Sequence, residues 1–136
     1  MRIVVVIAAL AITVAGCGGS DSVDEPQRDG KQEYATAQTL VDDWVDAGAS
    51  SCPTSRDLDP AYASDQLRCG DINNLIVFSV YDTPTDLNAQ RNLFADREAS
   101  VTQQAVFGEN WSVACSKTRV ISCVEAQKLL GGDLLF

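Results

Sequence analysis

Four cysteines, Cys52, Cys69, Cys115 and Cys123, punctuate the C-terminal part of a 136-residue chain that contains no histidine and no Cys-x-x-Cys spacing. Thiols placed this way make a weak case for zinc or redox chemistry, which relies on close Cys pairs or on Cys with His. Lacking histidine, the chain also lacks the commonest general base and both the Ser-His and Cys-His dyads. If the chain leaves the reducing cytoplasm, an even set of four cysteines reads as two disulfides, with three pairings open. Cys52–Cys69 and Cys115–Cys123 are the expected pairs, because each joins neighbouring elements. In the chain-entropy description the first loop contributes roughly 3 kcal/mol and the second somewhat less.

The N-terminus supports that compartment. Arg2 is a short positive region, and Ile3 to Val14 is apolar apart from Thr13. A spanning helix needs about 20 residues, so this run is too short to cross a bilayer comfortably. Its length suits the hydrophobic region of a signal peptide ending in small residues. Val14-Ala15-Gly16-Cys17 follows. These four residues resemble the lipobox of bacterial lipoproteins, usually Leu-(Ala/Ser)-(Gly/Ala)-Cys, with Val14 in place of Leu. The resemblance implies that the Cys17 thiol receives diacylglycerol, that the chain is cut before Cys17, and that the new N-terminus can be acylated, for example with palmitate. Each buried CH₂ contributes roughly 0.8 kcal/mol, so two or three acyl chains hold firmly. Removal of residues 1–16 takes away Arg2 and no acid, so the net charge of −9 becomes −10. Such a domain is repelled by an anionic surface, and the lipid itself makes the attachment to the bilayer.

Residues 17–32 read as a flexible acidic tether and 33–136 as the folded extracytoplasmic domain. The tether is too polar to bury surface that offsets ordering, and about 15 such residues reach on the order of 20 Å. Its acids Asp21, Asp24, Glu25 and Asp29 lack the Gly-centred loop of a calcium site and read as a solvated linker.

Within the domain, Glu33 to Ala47 shows a helical stripe of Tyr34, Ala37, Val41, Trp44, Val45 and Gly48. The neighbouring acids Asp42 and Asp43 point about 100° apart on a helix and read as a solvated face. Ser51–Arg56 and Gln66–Ile72 are expected short strands around a loop at Asp57–Asp65, and Leu75–Tyr81 is an expected central strand. Thr83-Pro84-Thr85-Asp86 starts a helix with an N-cap and Pro at N1, running to about Ser100. Leu87, Phe94 and Val101 repeat every seven residues along it, with Leu93 beside them. Gln104–Phe107 and Trp111–Cys115 form a hairpin around Gly108-Glu109-Asn110. Asn110-Trp111-Ser112 matches the glycosylation sequon and is read as chance. Ser122-Cys123-Val124-Glu125 is a capping box leading to a helix that ends at Gly131-Gly132. The expected fold is α+β, a two-layer sandwich of a small, mostly antiparallel sheet with helices on one face. The connection from Leu75–Tyr81 through the helix to Gln104–Phe107 is a candidate crossover.

This order also resembles a broad group of small actinobacterial lipoproteins of unassigned function. The matching residues are Leu40, Gly48, Cys52, Tyr62, Cys69, Val77, Gly108, Asn110, Trp111 and Gly132, over about 45–135. Cys115 and Cys123 are extra to that pattern. The resemblance implies a fold and a location and carries no catalytic residues.

Acidity makes nucleic acid a poor partner, because binding it needs Lys and Arg on phosphates. No cofactor or metal ligand set is expected, and no serine-hydrolase or P-loop motif points to an enzyme. The leading expectation is an anchored binding or interaction module with a protein partner in the envelope. Trp111 and Tyr62 are the first surface candidates, with core packing as the competing role of each. A carrier of a small apolar ligand between sheet and helices is the alternative, and an enzyme is less favoured.

Overall fold

Thr36 opens the first helix of the computed structural model, which describes residues 28–71, 73–96, 103–116 and 120–136. The Thr36 hydroxyl accepts from the Thr39 amide, and the Thr39 hydroxyl accepts from the Thr36 N–H. This reciprocal box satisfies donors that a helix start otherwise leaves open. Helix α1 (Ala37–Asp46) buries Ala37, Leu40, Val41 and Trp44. The expected helix therefore loses its first turn, and residues 33–36 precede it as a non-helical segment.

Among the described residues six strands form one sheet in the order β1-β2-β3-β5-β4-β6, every neighbouring pair antiparallel. They are β1 (Thr54–Arg56), β2 (Asp65–Cys69), β3 (Ile76–Val80), β4 (Gln103–Phe107), β5 (Trp111–Ser116) and β6 (Asp133–Leu135). The apolar run read as central lies inside the sheet as β3. β1 is shorter than expected: Pro53, just before it, has no N–H to give a ladder. β6 has no counterpart in the sequence reading.

Side-chain alternation divides the sheet into two faces. Leu67, Phe78, Val113 and Val106 lie opposite one another in register, and this face packs on α1 and on α3 (Val120–Leu130). Trp44 meets Phe78 with ring centroids 5.1 Å apart. Ala105 and Phe107 point to the other face, where they pack with Leu87 and Phe94 of α2 (Pro84–Ala95). The α+β class and the antiparallel sheet are as expected, but the three helices do not share a face: α2 takes the second one. The reason lies in β4, whose Ala105, Val106 and Phe107 are all buried and so present apolar surface to both sides. α2 joins β3 to β4, two strands that run parallel with β5 between them, which makes this connection a crossover.

The start of α2 is as read. Thr83 caps it, accepting from the Asp86 amide at 3.1 Å and donating to the Asp86 carboxylate at 2.6 Å, with Pro84 at the first position. The helix ends at Ala95, short of Ser100, and residues 97–102, including Val101, lie outside the described residues. Of the repeat, Leu87 and Phe94 are buried while Leu93 is exposed. Arg91 reaches Asp133 of β6 at 2.7 Å and lies over the Phe107 ring. α3 begins at Val120, so Ser122 stands inside the helix rather than at its N-cap position. Gly131 and Gly132, both at positive φ, stop α3 as expected.

Candidate functional site

The chain enters the domain through a strap, residues 28–34, that was expected to belong largely to the tether. Polar residues dock here because their partners are backbone groups the fold would otherwise leave open. The Gln32 amide donates to the Leu130 carbonyl at 2.6 Å, capping the end of α3. The Gln32 carbonyl accepts from the Trp111 indole at 3.0 Å, and the Gly30 carbonyl accepts from the Glu109 amide at 2.9 Å. Arg28 pairs with Asp43. Gly131 matters for the same reason: a Cβ there would meet the backbone of Arg28 and Gly30. The folded unit thus begins by residue 28, not at 33, and Asp43 is a docking group for the strap rather than part of a solvated face. Asp29, exposed, pairs with Lys31, whose backbone N–H is the main reason its carboxyl lies below the usual range.

Asn110 holds the strap at two points. Its side-chain oxygen accepts from the Tyr34 N–H at 3.0 Å, and its amide donates to the Tyr34 carbonyl at 2.8 Å. The amide of the sequon is therefore occupied in the fold. Asn110→Ala leaves both Tyr34 backbone groups without this partner and is expected to lower stability by about 2 kcal/mol. A urea titration reads this as a lower midpoint at unchanged slope, together with faster hydrogen exchange at the Tyr34 amide. An unchanged midpoint would show that the strap does not depend on Asn110.

The Tyr34 hydroxyl donates to Asp43 at 2.5 Å, and the Tyr81 hydroxyl shares a bond of 2.8 Å with Ser112. Burial, then the Asp43 carboxylate, pushes the Tyr34 phenol above its ordinary value of 10.0, and burial raises Tyr81 as well. Above pH 10 the folded chain keeps protons that the unfolded chain has released. Their stabilising effect is complete below pH 10 and is lost as pH rises beyond it. Melting temperature is expected to fall through the alkaline range, with phenolate absorbance appearing as the fold melts. Tyr34→Phe should make that fall shallower, and a melting temperature flat across this range would contradict the burial of both phenols.

Both expected disulfides are present. Cys52–Cys69 ties the segment before β1 to the end of β2, with Cα atoms 5.9 Å apart. Cys115–Cys123 ties β5 to α3 at 5.8 Å. Cys17 lies outside the described residues, as do Asp21, Asp24 and Glu25. Trp111 is fully buried, stacked edge-on to Tyr34 at 6.1 Å, and belongs to the core rather than to a binding surface. Tyr62 remains at the surface, 38% exposed, in the β1–β2 loop, which also carries Leu58 at 92% exposed.

That loop adjoins the open edge of the sheet. Asp65 fixes the geometry: one carboxylate oxygen accepts from the Ala37 amide at the start of α1, and the other pairs with Arg56 of β1. Asp65 thereby ties the start of α1 to this edge, and a groove of about 440 Å³ lies between α1 and the stretch Ser51, Cys52 and Thr54 that leads into β1. Val41, Val45 and Cys52 supply its apolar surface, and Asp42 and Asp46 its acidic rim. Asp42 accepts from the Gln38 amide at 2.8 Å. Arg28, Lys31, Arg56, Arg68 and Arg91 are each paired with another acid. Among the described residues neither Asp42 nor Asp46 has a cationic partner. The i, i+4 spacing of Val41 with Val45 and of Asp42 with Asp46 is visible in the sequence, but the approach of β1 is not. Among the described residues no cluster of Cys, Asp and Glu is arranged to hold a metal ion. Nor does any described helix have the length and apolarity to cross a membrane.

The fold and surface define a small, disulfide-stapled α+β domain with an acidic edge groove. Comparison of the chain with protein-family models, with curated proteins and with solved structures finds no match.

Proposed function

We propose that this chain is a lipid-anchored extracytoplasmic lipoprotein whose folded domain acts as a binding module. The observation that carries the reading is the position of Cys17, directly after an apolar run and the small residues Ala15 and Gly16. Two disulfides suit the oxidising compartment to which such a signal leads. The resemblance to small actinobacterial lipoproteins belongs to the same reading. Binding, rather than anchoring alone, is favoured by the exposed Leu58 and Tyr62 next to an open sheet edge. The carrier alternative draws little support from the interior, where Leu40, Phe78, Trp111, Val113 and Leu130 fill the space between helices and sheet.

In-cell cross-linking with mass spectrometry, comparing the natural chain with Cys17→Ser, tests both parts. The natural chain should be recovered from membranes with acyl chains on Cys17. One specific protein partner should be captured, and captured less when the anchor is removed. An unacylated Cys17 would sink the lipoprotein reading. An acylated chain with no partner would sink the binding-module reading.

A further inference from the structure

We propose that the outer edge of β1, together with the acidic groove against α1, receives an extended basic polypeptide segment as an added strand. This deepens the binding-module reading and rests on it, but it is independent of the lipid anchor.

The backbone supplies the first part of the argument. Among the described residues β1 ends the sheet, and its three residues are exposed. The Asp57 amide bonds to the Gln66 carbonyl in continuation of the β1–β2 register. Alternation along an antiparallel ladder then turns the Ser55 backbone groups toward β2 and those of Thr54 and Arg56 outward. Thr54 and Arg56 therefore present a donor and an acceptor each to an incoming strand, the arrangement used in strand addition to a sheet edge.

The groove supplies specificity. Thr54 lies opposite Cys69, which faces the α1 side of the sheet. Alternate side chains of an added strand would point the same way, over Val45 and Cys52 and toward the rim. From Gln38 to Asp46 the helix extends about 12 Å, the span of about four residues of a strand. A Lys or Arg in the groove lays its aliphatic stem on the apolar surface and carries its charge to the carboxylates. Asp42 and Asp46 are exposed and lack a cation among the described residues. A net charge of −9 draws a basic segment toward the chain from a distance and repels an acidic one.

The test uses the full chain in detergent and a fluorescent eight-residue peptide of alternating Lys and Thr. A peptide of alternating Glu and Thr serves as its charge-reversed control. The Lys-Thr peptide should bind saturably with Kd below about 1 mM, more weakly as salt rises, and should slow hydrogen exchange at the Thr54 and Arg56 amides. The Glu-Thr peptide should not bind. Asp42→Asn with Asp46→Asn, both at exposed positions, should weaken binding roughly fivefold. Thr54→Pro removes an outward N–H without touching the β1–β2 ladder and should abolish it. Equal binding of the two peptides, no saturable binding of the Lys-Thr peptide, or full affinity in the double Asn variant would each overturn the proposal. A cross-linked partner mapping away from β1 would overturn it too, while leaving the binding-module reading in place.

Discussion

Trp111→Ala is expected to lower stability by about 4 kcal/mol, the range found for emptying a fully buried tryptophan site. Trp111 is 0% exposed, and its indole does three things at once. It fills the core between α1, α3 and the sheet, meets Tyr34 edge-on, and donates to the Gln32 carbonyl. Losing it removes apolar contact and leaves the strap carbonyl unpaired. A loss of this size is a large part of the total stability of a small domain, about 5–15 kcal/mol. Denaturant titration should show it, along with faster hydrogen exchange over residues 30–34. Trp111→Phe should fall between the variant and the natural chain, since it keeps a ring but not the donor. Gly108→Ala probes the same place from the other side, because a Cβ there would collide with the Trp111 indole. If Trp111→Ala melted within a degree or two of the natural chain, the indole could not be the joint between strap and core.

Breaking both disulfides should have a comparable effect by a different route. Cross-links restrict the unfolded chain, and sequence separations of 17 and 8 residues correspond to about 3 and 2.5 kcal/mol in the chain-entropy description. Together these reach the lower end of the about 5–15 kcal/mol stability of a small domain, so the fully reduced chain should be strongly destabilised at room temperature. Access should separate the two steps. Cys52 is half-buried at the groove, while Cys115 and Cys123 are 1% and 0% exposed. Thiolate attack needs an approach to sulfur, so mild reductant should open Cys52–Cys69 first, under conditions that leave Cys115–Cys123 closed. Alkylation followed by peptide mass spectrometry gives the order. Simultaneous opening, or opening of Cys115–Cys123 first, would show that the end of the sheet around α3 is looser than its packing indicates. Because Cys52 lines the groove, the first step should also loosen the edge proposed to take a partner strand.

Much of the local structure was legible. Thr83-Pro84 announced α2 because a hydroxyl cap and a fixed φ are properties of those two residues themselves. The β4–β5 hairpin was legible from the alternation of Trp111, Val113 and Cys115 with Ser112 and Ala114. The disulfide partners followed from nearness in the chain. Where expectations failed, the deciding partner was distant in sequence. The strap looked like linker because it is polar, yet Gln32 bonds to Leu130, 98 residues on, and to Trp111, 79 residues on. Trp111 looked like a surface candidate as readily as a core residue until its neighbours were placed. Ser122-x-x-Glu125 imitated a helix start, but the helix had already begun at Val120. β6 is three residues long, too short for a period to show.

The candidate surface divides in the same way. Val41 with Val45 and Asp42 with Asp46 form two adjacent strips on α1 by helical spacing alone, and Leu58 and Tyr62 lie in a loop marked by Asp-Pro and Ser. Nothing local says that Ser51, Cys52 and Thr54, at the entry to β1, face those strips; Asp65 helps set that approach by joining the α1 start and Arg56 at once. The sequence by itself determined the apolar run before Cys17, the acidic charge, a preference for pairing neighbouring cysteines and the elements whose caps and alternation lie within a few residues. The tertiary structure alone decided which face α2 covers, that residues 28–32 pack onto the domain, and which acids border a strand edge. Each of those depends on contacts between residues far apart in the chain, and such contacts form only once the sheet has assembled.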